Sequence, residues 1–516
     1  MDFQGIHLPE MVSFALEVMA VMFMLAIGLL MLSLVILYIL DITQSKHAIR
    51  RNYPVIGRFR YFFETLGMFF RQYFFAMDRE ELPFNRAERS WVYRAAKGLE
   101  KTVAFGSTKD LRPAGSIFFV NCPFPELDKS ATKTQPLVIG PYCDKPYETD
   151  SLFNISGMSF GAISRPAVLA LSNGARMAGC WMNTGEGGLS PYHLEGGADI
   201  VFQIGTAKFG VCDAEGKLSD EKLRKVASHP EVKMFEVKLS QGAKPGEGGI
   251  VPAAKVTPEI AEIRGIIPYQ ASLSPNRHPE IKNVDDLLDM INHVRKVTGK
   301  PVGCKMVIGT SWWLDELFEK INQRGIESAP DFVTIDGAEG GSGAAPMSLM
   351  DNMGLPLRES LPIVVDKLNK HGLRDRVKVI ASGKLITPSD VAWALCIGAD
   401  FINSARGFMF ALGCIQALQC NKDTCPTGIT THNPRLQKGL DPKLKAIRVM
   451  NYVNNMVREI SVIAHSCGVQ EPRELRRFHA RIVTENGLSV PLNKIYPDFS
   501  EAAESQTSKP ELRTIK

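Results

Sequence analysis

The sequence has little net charge and few cysteines, and both facts exclude classes of protein. Its 60 Lys and Arg stand against 55 Asp and Glu, which leaves a formal charge of +5 over 516 residues. No basic stretch is interleaved with aromatic residues, so a nucleic-acid partner is not expected. The ten Cys are scattered except for three near residue 420, which excludes a disulfide scaffold and indicates a reducing compartment. With 45% apolar and 22% charged residues, the chain is expected to fold.

A nicotinamide-binding domain is not indicated, because no G-x-G-x-x-G motif follows the first predicted strand. From about residue 150 the chain alternates short apolar runs with helical patterns such as Val284–Thr298 and Ser389–Ile397. The apolar runs begin at Leu152, Ile200, Met234, Pro301, Phe332, Val377 and Asp400. Repetition of strand, loop and helix predicts parallel α/β architecture, and a TIM (β/α)8 barrel is favoured over an open Rossmann sheet.

Near the N-terminus, Val18 to Leu40 form a run of 23 residues without a charge. A helix of that length is roughly 34 Å long, enough to cross the hydrocarbon core of a bilayer. A cleaved signal peptide is the alternative, but no Lys or Arg precedes the run and no small-x-small site follows it. Basic residues follow the run, so the positive-inside rule predicts a single-pass protein of the bacterial inner (plasma) membrane. The N-terminus would lie outside and the catalytic body in the cytoplasm.

Four regions are predicted along the chain. An N-terminal transmembrane anchor occupies residues 1–45, and an aromatic juxtamembrane segment occupies 46–90. The latter either lies at the bilayer surface or packs on the soluble domain. The barrel with its cysteine-containing loop spans 91–460, and a C-terminal extension with a polar tail from Glu501 spans 461–516.

Cys414, Cys420 and Cys425 are spaced x5 and x4, with a Pro after the last. Three thiolates so close in sequence can hold one iron–sulfur cluster, whereas zinc prefers C-x2-C pairs and four ligands. Three ligands suit a [3Fe-4S] cluster, or a [4Fe-4S] cluster with one open position. Chance proximity of buried cysteines is the alternative.

Two loops late in the predicted barrel contain Gly383 and, in the second, Arg406 and Gly407. TIM barrels often hold a phosphate group in the loops after strands seven and eight. Backbone N–H groups at the glycines, with the Arg guanidinium, are suited to bind it. Ordinary turn glycines are the alternative.

Five motifs together resemble one family. They are Ser156-Gly-Met-Ser-Phe-Gly-Ala-Ile-Ser164, Asn183-Thr-Gly-Glu-Gly-Gly188, Gln241-Gly-Ala-Lys-Pro-Gly-Glu-Gly-Gly249, Asp336-Gly-Ala-Glu-Gly-Gly-Ser-Gly-Ala-Ala-Pro346 and the cysteine motif. In this order they resemble the FMN-binding synthase domain of glutamate synthases, specifically its membrane-anchored, single-domain bacterial relatives. The resemblance runs from roughly residue 90 to 460.

The resemblance implies FMN in a TIM barrel, an iron–sulfur cluster beside it, and 2-oxoglutarate at the flavin. The three motif cysteines would be the cluster ligands. The residues that match flavin-contacting segments are Ser156, Gly157, Met158, Ser159, Lys305, Gly340, Gly341, Ser342 and Gly343. With Gly383, Arg406 and Gly407 they complete the predicted FMN site.

The catalytic residues implied by the resemblance are Glu186, Lys305, Lys244 and Arg264. Glu186 matches an acid near the flavin that can shuttle protons. Lys244 and Arg264 match the basic residues that hold the two carboxylates of 2-oxoglutarate, and Lys305 would stabilise the anionic reduced flavin. The structural alternatives are a loop-capping role for Glu186, surface charges for Lys244 and Arg264, and an ion pair in the barrel interior for Lys305.

Three departures from the family pattern limit the transfer of function. The chain opens with Met1-Asp2-Phe3 rather than a glutaminase domain with an N-terminal Cys, so ammonia is expected from solution or from a partner amidotransferase. Only about fifty residues follow position 460, too few for the long β-helix domain of the large enzymes. Ile250 stands where the family usually has Gln. Loss of an amide donor weakens the binding of a polar substrate by about 1–3 kcal/mol.

The predicted function is reductive amination of 2-oxoglutarate, through 2-iminoglutarate, to L-glutamate. Electrons would arrive through the iron–sulfur cluster from a ferredoxin or an NAD(P)H-dependent flavoprotein subunit. The alternatives are a synthase that uses another amine or keto acid, as in N-methylglutamate formation, a membrane flavin dehydrogenase that reduces quinone, and a non-catalytic assembly subunit.

Overall fold

The computed structural model describes residues 10–99 and 102–497. It contains two compact units, Met1–Ala87 and Glu88–Lys516. The polar tail predicted from Glu501 and the first nine residues lie outside the described part of the chain.

Seventeen α-helices are found in the described residues. They are α1 Glu10–Thr43, α2 Ala48–Asn52, α3 Gly57–Phe70, α4 Arg86–Lys97, α5 Arg165–Ala178, α6 Pro191–Glu195, α7 Asp220–Ala227, α8 Pro258–Arg264, α9 Val284–Thr298, α10 Trp312–Arg324, α11 Met347–Met350, α12 Leu357–Lys370, α13 Pro388–Ile397, α14 Arg406–Leu412, α15 Pro434–Gln437, α16 Pro442–Ser466 and α17 Leu492–Ile495.

The same residues form fifteen strands. They are β1 Ile117–Phe119, β2 Leu137–Ile139, β3 Tyr147–Thr149, β4 Phe153–Ile155, β5 Met182–Asn183, β6 Ile200–Ile204, β7 Val232–Lys238, β8 Ile250–Val251, β9 Ser272–Leu273, β10 Val302–Met306, β11 Phe332–Asp336, β12 Lys378–Ser382, β13 Phe401–Ser404, β14 Ala480–Val483 and β15 Ser489–Pro491.

The first unit contains α1, the only described helix long and apolar enough to cross a membrane by length and composition. The chain then turns on an ion pair between Asp41 at the end of α1 and Arg58 at the start of α3. Arg58 Nη2 donates to Asp41 Oδ1 at 2.8 Å, and the backbone N–H of Val55 donates to Oδ2 at 2.9 Å. Beyond this turn α3 exposes large aromatic side chains, among them Phe62 and Phe63.

In the second unit, eight parallel strands close into a barrel in the order β4–β5–β6–β7–β10–β11–β12–β13. Helices lie between consecutive strands, as parallel pairing requires. The predicted TIM barrel and N-terminal apolar helix are confirmed. Seven strands and the helix Val284–Thr298 were expected from the apolar runs, whereas β5 was not. It has only two residues, too few for a periodic signal.

The N-terminal end of the barrel is closed by the antiparallel hairpin β2–β3. Ile139 and Tyr147 from this hairpin pack with Trp181, Phe332 and Phe401, which lie at or just before the first residues of barrel strands. Because apolar side chains fill this end, a functional site is expected at the other end, where the barrel strands have their carboxyl ends.

Helix α16 packs along α5, with Gly174 at the point of closest approach. A Cβ at this position would lie 2.5 Å from Val449 Cβ and 2.8 Å from the carbonyl oxygen of Ala446. The chain after α16 returns through β14, which pairs with β1 and β15 in a small antiparallel sheet.

Replacement of Gly174 by Ala is expected to lower the midpoint of thermal unfolding of the detergent-purified protein. Overpacking of this kind costs about 1–3 kcal/mol, more than an Ala gains in a helix. Gly309→Ala is the control, because a Cβ there meets nothing within 4 Å. A midpoint for Gly174→Ala equal to that of Gly309→Ala would contradict the close packing of α5 on α16.

Candidate active site

A cavity opens at the carboxyl ends of the barrel strands, with about 520 Å³ of empty space when the part open to solvent is included. Its walls include Ser156 after β4, Lys305 in β10, Asp336 at the end of β11, and Ser382 and Ser404 at the ends of β12 and β13. Because parallel strands deliver their carboxyl ends to one rim, residues far apart in sequence meet here.

Beneath the cavity the barrel interior is polar and fully hydrogen-bonded around Glu236, which is 1% exposed. Glu236 Oε1 accepts hydrogen bonds from Asn183 at 2.8 Å and from Gln203 at 2.7 Å. Its Oε2 accepts one from Thr334 at 2.6 Å. These bonds satisfy a buried carboxylate and fix the strands that carry the cavity wall.

Lys305 is held in the cavity wall by Asp336, with Nζ 3.2 Å from Oδ2. Burial alone would lower the pKa of Lys305, but the nearby carboxylates of Asp336 and Glu236 outweigh burial and raise it. Asp336 in turn accepts hydrogen bonds from Ser382 Oγ at 2.8 Å and from the backbone N–H of Gly242 at 2.9 Å. Lys305 is therefore a fixed cation at the cavity surface.

Two further cations, Arg406 and Lys384, line the cavity. Arg406 donates to the carbonyl oxygen of Glu339 at 2.6 Å, and burial lowers the pKa of its guanidinium to about 10. Burial also lowers the pKa of Lys384, with Arg406 adding to the effect. A Cβ at Gly341 would lie 2.9 Å from the Arg406 side chain, so glycine is needed for this close approach. The arrangement suits an anionic group such as a phosphate.

A cluster of four charged residues adjoins the cavity: Glu186, Lys238, Lys244 and Arg264. Lys238 lines the cavity and lies 3.0 Å from Glu186 Oε2. Burial by itself raises the pKa of Glu186, but the charges of Lys238, Lys244 and Arg264 outweigh burial and lower it. With three cations and one carboxylate, the cluster has a formal charge of +2.

Lys244 and Arg264 are buried in this cluster with few partners. Lys244 Nζ donates to the carbonyl oxygen of Gly248 at 2.6 Å. Arg264 is 2% exposed and donates to the Phe160 carbonyl oxygen at 3.1 Å, while its buried Nε has no hydrogen-bond partner. Burial lowers the pKa of Lys244 and lowers that of Arg264 to about 10, although Glu186 opposes both shifts. Two buried cations with unused hydrogen-bonding capacity fit an anionic ligand.

The cysteine loop, Cys414–Cys425, lies beside the same end of the barrel. The three thiols act on one another electrostatically, which places them near each other. Burial raises the pKa of Cys414 to about 12. Burial also raises that of Cys425, but hydrogen bonds from Thr427 and the backbone at Thr430 outweigh it and lower the pKa. In the described part of the chain, no three His, Cys, Asp or Glu side chains are placed to hold a single metal ion.

The cysteine loop and the segment that follows it are tied to the Ser156–Ser164 loop, which begins at the cavity. Ser164 Oγ donates to the carbonyl oxygen of Gly428 at 2.7 Å, and the backbone N–H of Ser164 donates to the carbonyl oxygen of Ile429 at 2.8 Å. His432 Nε2 lies 2.9 Å from the Gly161 carbonyl oxygen. The segment that follows the cysteine loop is therefore held against the Ser156–Ser164 loop by hydrogen bonds.

The structure distributes the predicted flavin contacts unevenly. Those that line the cavity are Ser156, Gly157, Lys305, Gly340, Gly341, Gly383 and Arg406. Those that do not are Met158, Ser159, Ser342, Gly343 and Gly407. Ser159 accepts instead from Arg264 at 3.4 Å, and Gly407 packs under the Tyr452 hydroxyl.

Sequence reasoning missed Lys238, Asp336 and Lys384 as site residues. Each lies at or just beyond the carboxyl end of a barrel strand, which is the position where TIM barrels place functional groups. Position at a strand end was therefore the available signal. That position alone does not identify a site residue, because charged residues at strand ends are also common in structural ion pairs.

Comparison with known proteins bears on the chain as a whole. A family model described as the conserved region in glutamate synthase matches residues 126–470. The chain belongs to the glutamate synthase family. The predictions of the family and of the oxidoreductase class are confirmed.

Relatives within the family differ in how much of their length is shared. The "glutamate synthase large subunit-like protein YerD" of Bacillus subtilis (strain 168) is 40% identical over 515 residues, covering 92% of this chain and 97% of that protein. The archaeal glutamate synthase [NADPH] of Methanocaldococcus jannaschii is 34% identical over 345 residues, covering 64% and 62%. The glutamate synthase [NADPH] large chain of B. subtilis is 32% identical over 321 residues, covering 60% of this chain and 19% of that one. The chain thus matches about three fifths of the archaeal relative and about a fifth of the large chain.

Among solved structures, a flavocytochrome b2 mutant with pyruvate bound has a TM-score of 0.45 and 16% sequence identity, covering 83% of this chain and 90% of that one. A mandelate oxidase mutant with a monooxide FMN adduct has a TM-score of 0.42 and 14% identity, covering 77% and 92%. The assignment of the fold rests on the closed barrel itself.

Replacement of Asp336 by Asn is expected to destabilise the protein by about 3–5 kcal/mol, because it leaves the buried Lys305 cation without its partner. Because the pKa of Lys305 is raised in the folded protein, the ion pair stabilises the fold fully at pH values below the pKa of an unfolded lysine, about 10.4. This stabilisation is lost as the pH rises through the pKa of Lys305 in the folded protein. Thermal unfolding at pH 7 and in strongly alkaline buffer would measure the difference, which should shrink at the higher pH.

The control for this substitution is Asp285→Asn, which removes a partly exposed partner of Lys320 and Arg324. Surface pairs of this kind contribute little to stability. Equal losses in the two variants would contradict the assignment of Lys305 and Asp336 as a buried pair.

Proposed function

We propose that this protein is an FMN-dependent, membrane-anchored enzyme that converts 2-oxoglutarate and ammonia to L-glutamate. The observation that carries the proposal is the buried cluster of Lys238, Lys244, Arg264 and Glu186, whose formal charge of +2 matches a dicarboxylate. The reaction is 2-oxoglutarate plus ammonia, two electrons and two protons, giving glutamate and water.

The cavity supports the assignment of FMN. Arg406 and Lys384 provide a cationic corner for its phosphate, and Gly341 allows the Arg406 side chain to approach the backbone closely. Lys305, fixed by Asp336, provides a cation on the cavity wall for a ring that gains negative charge on reduction. When bound, FMN supplies the hydride for the imino carbon.

Lys244 and Arg264 are proposed to bind the two carboxylates of the substrate. Arg264 has the fork geometry for a bidentate contact, and its unpartnered Nε is available for it. Because both side chains are held by backbone carbonyl oxygens, they are positioned before the substrate arrives. Preorganised cations lose little entropy on binding.

Glu186 is proposed to move protons at the substrate nitrogen. Its lowered pKa keeps the carboxylate ionised at neutral pH, so Oε1 and Oε2 can accept a proton from an ammonium ion or a carbinolamine. Lys238 Nζ, 3.0 Å from Oε2, neutralises the carboxylate and is the adjacent donor.

The cysteine loop is proposed to hold an iron–sulfur cluster of the [3Fe-4S] type, or a [4Fe-4S] type with an open site. Three neighbouring thiols, one of them with a lowered pKa, are a donor set suited to iron and sulfide. When bound, such a cluster supplies one-electron transfers from a ferredoxin or an NAD(P)H-dependent flavoprotein subunit. A partner amidotransferase or free ammonia would supply the nitrogen.

The proposed location is the bacterial plasma membrane. The apolar helix α1 and the basic residues after it support an outside N-terminus and a cytoplasmic barrel. The exposed aromatic side chains of α3 support contact with the bilayer surface.

Ile250 favours a second candidate, a synthase that uses methylamine or another amine. Ile250 directly follows Gly249, whose backbone lies against the Glu186 carboxylate so closely that a Cβ would clash with it. An apolar side chain at this position lacks the amide of the family's usual Gln, and it tolerates a methyl group on the nitrogen.

The function is tested by an anaerobic spectral titration of the detergent-purified protein. After photoreduction, the oxidised flavin bands are expected to return only when 2-oxoglutarate and ammonium are both present. Methylamine in place of ammonium tests the second candidate. Rapid recovery of the oxidised bands with 2-oxoglutarate and methylamine, but not with 2-oxoglutarate and ammonium, would favour it. A flavin that stays reduced with every amine would contradict both candidates.

A matched pair of variants keeps this titration specific. Arg264→Met should raise the 2-oxoglutarate concentration for half-maximal recovery about 10–100-fold, because a charged hydrogen bond contributes about 1.5–3 kcal/mol. Lys217→Met, which removes a cation that is 70% exposed, should leave it unchanged.

Replacement of Cys414 by Ser is expected to remove most of the iron and to abolish turnover driven by an external donor. The flavin content should persist, because the cysteine does not line the cavity. Iron analysis and flavin absorbance measure the two outcomes separately, with Cys212→Ser as a control. Retained iron and unchanged donor-dependent turnover would contradict the cluster.

A further inference from the structure

Lys255 is a buried cation that none of the steps above uses. It ends the short 3-10 turn Ala253–Lys255, between Lys244 and Arg264 in the chain, and is 2% exposed. A lysine is rarely buried so completely without a specific partner.

Its ammonium group joins two loops that are far apart in sequence. Lys255 Nζ donates to the carbonyl oxygen of Ala162 at 3.0 Å and to that of Cys420 at 2.9 Å. Ala162 belongs to the Ser156–Ser164 loop, whose first residues line the cavity, and Cys420 belongs to the cysteine loop. One side chain therefore links the loop that begins at the cavity to the cysteine loop.

The charge of Lys255 is also placed asymmetrically with respect to the thiols. Its ammonium interacts electrostatically with Cys420 and Cys425, and with the carboxylate of Asp423. Because the site is largely shielded from water, a cation here acts on nearby negative charge more strongly than a surface charge does.

We propose that Lys255 is a positioning residue for electron transfer, which fixes the cysteine loop against the Ser156–Ser164 loop and favours the reduced state of the cluster. The inference rests on the proposed function, since it assumes FMN and the cluster. The physical reason is that reduction adds one negative charge to the cluster, and a buried cation stabilises that charge.

The test uses the full-length, detergent-purified protein in which FMN and iron are first quantified. Lys255→Met removes the charge and the donors, Lys255→Gln keeps a donor, and Lys255→Arg keeps the charge. Lys300→Met is the matched control. Lys300 is also buried and donates to backbone carbonyl oxygens, those of Ala227, His229 and Val232, but at the opposite end of the barrel.

The main readout is the midpoint potential of the cluster, measured by an EPR-monitored redox titration. Lys255→Met and Lys255→Gln should lower the equilibrium constant for reduction of the cluster at least tenfold. For one electron this makes the midpoint potential more negative by at least 59 mV. Lys255→Arg and Lys300→Met should stay close to the wild type. Turnover driven by an external electron donor should fall in the two variants that lack the charge. Photoreduced flavin in these variants should still react with keto acid and amine at an unchanged rate.

Three results overturn the proposal, and each can be distinguished from the others. A wild type that contains FMN and iron and turns over, with unshifted potentials in Lys255→Met and Lys255→Gln, leaves the function intact and removes this role of Lys255. An equal shift of the midpoint potential in Lys300→Met also rules out this role of Lys255, because the shift would then follow from a general loss of stability. A wild type without iron or flavin overturns the proposed function and this role together.

Discussion

Burial of charge at the mouth of the barrel is the constraint on which the rest of the site depends. Glu186, Lys238, Lys305 and Asp336 are largely withdrawn from water, and each remains in place because an opposite charge lies within about 3 Å. Lys244 and Arg264 are the exceptions, since their hydrogen-bond acceptors among the described residues are uncharged oxygens. An excess of buried positive charge is costly unless an anion completes it, which is the reason for proposing the cluster as a binding site rather than a structural network.

The barrel provides the geometry for this arrangement by separating stability from function. At the N-terminal end, Trp181, Phe332 and Phe401 form an apolar layer under the β2–β3 hairpin. In the middle, Glu236 gathers hydrogen bonds from three strands. At the carboxyl end cations line an open cavity, so the polar residues there are supported by two layers that have little freedom to move.

Much of the site could be predicted from sequence because the family motifs are local. Glu186, Lys244 and Arg264 lie in or near glycine-rich motifs, and the structure brings them together as expected from the resemblance. Lys238 and Asp336 could not be assigned in the same way. Their importance comes from partners 52 and 31 residues away, Glu186 and Lys305, and such pairing becomes visible only when the strands are side by side.

The sequence by itself determined the strand and helix order, the apolar N-terminal run and the cysteine spacing, because each depends on neighbouring residues. Helix α9, for example, begins and ends where its periodicity predicts. Only the tertiary structure decided that Lys255 joins the Ser156–Ser164 loop to the cysteine loop, and that Gly407 packs under Tyr452 away from the cavity. The physical reason is that periodicity and spacing describe one segment at a time, whereas hydrogen bonds and electrostatic shielding depend on which distant segments pack together.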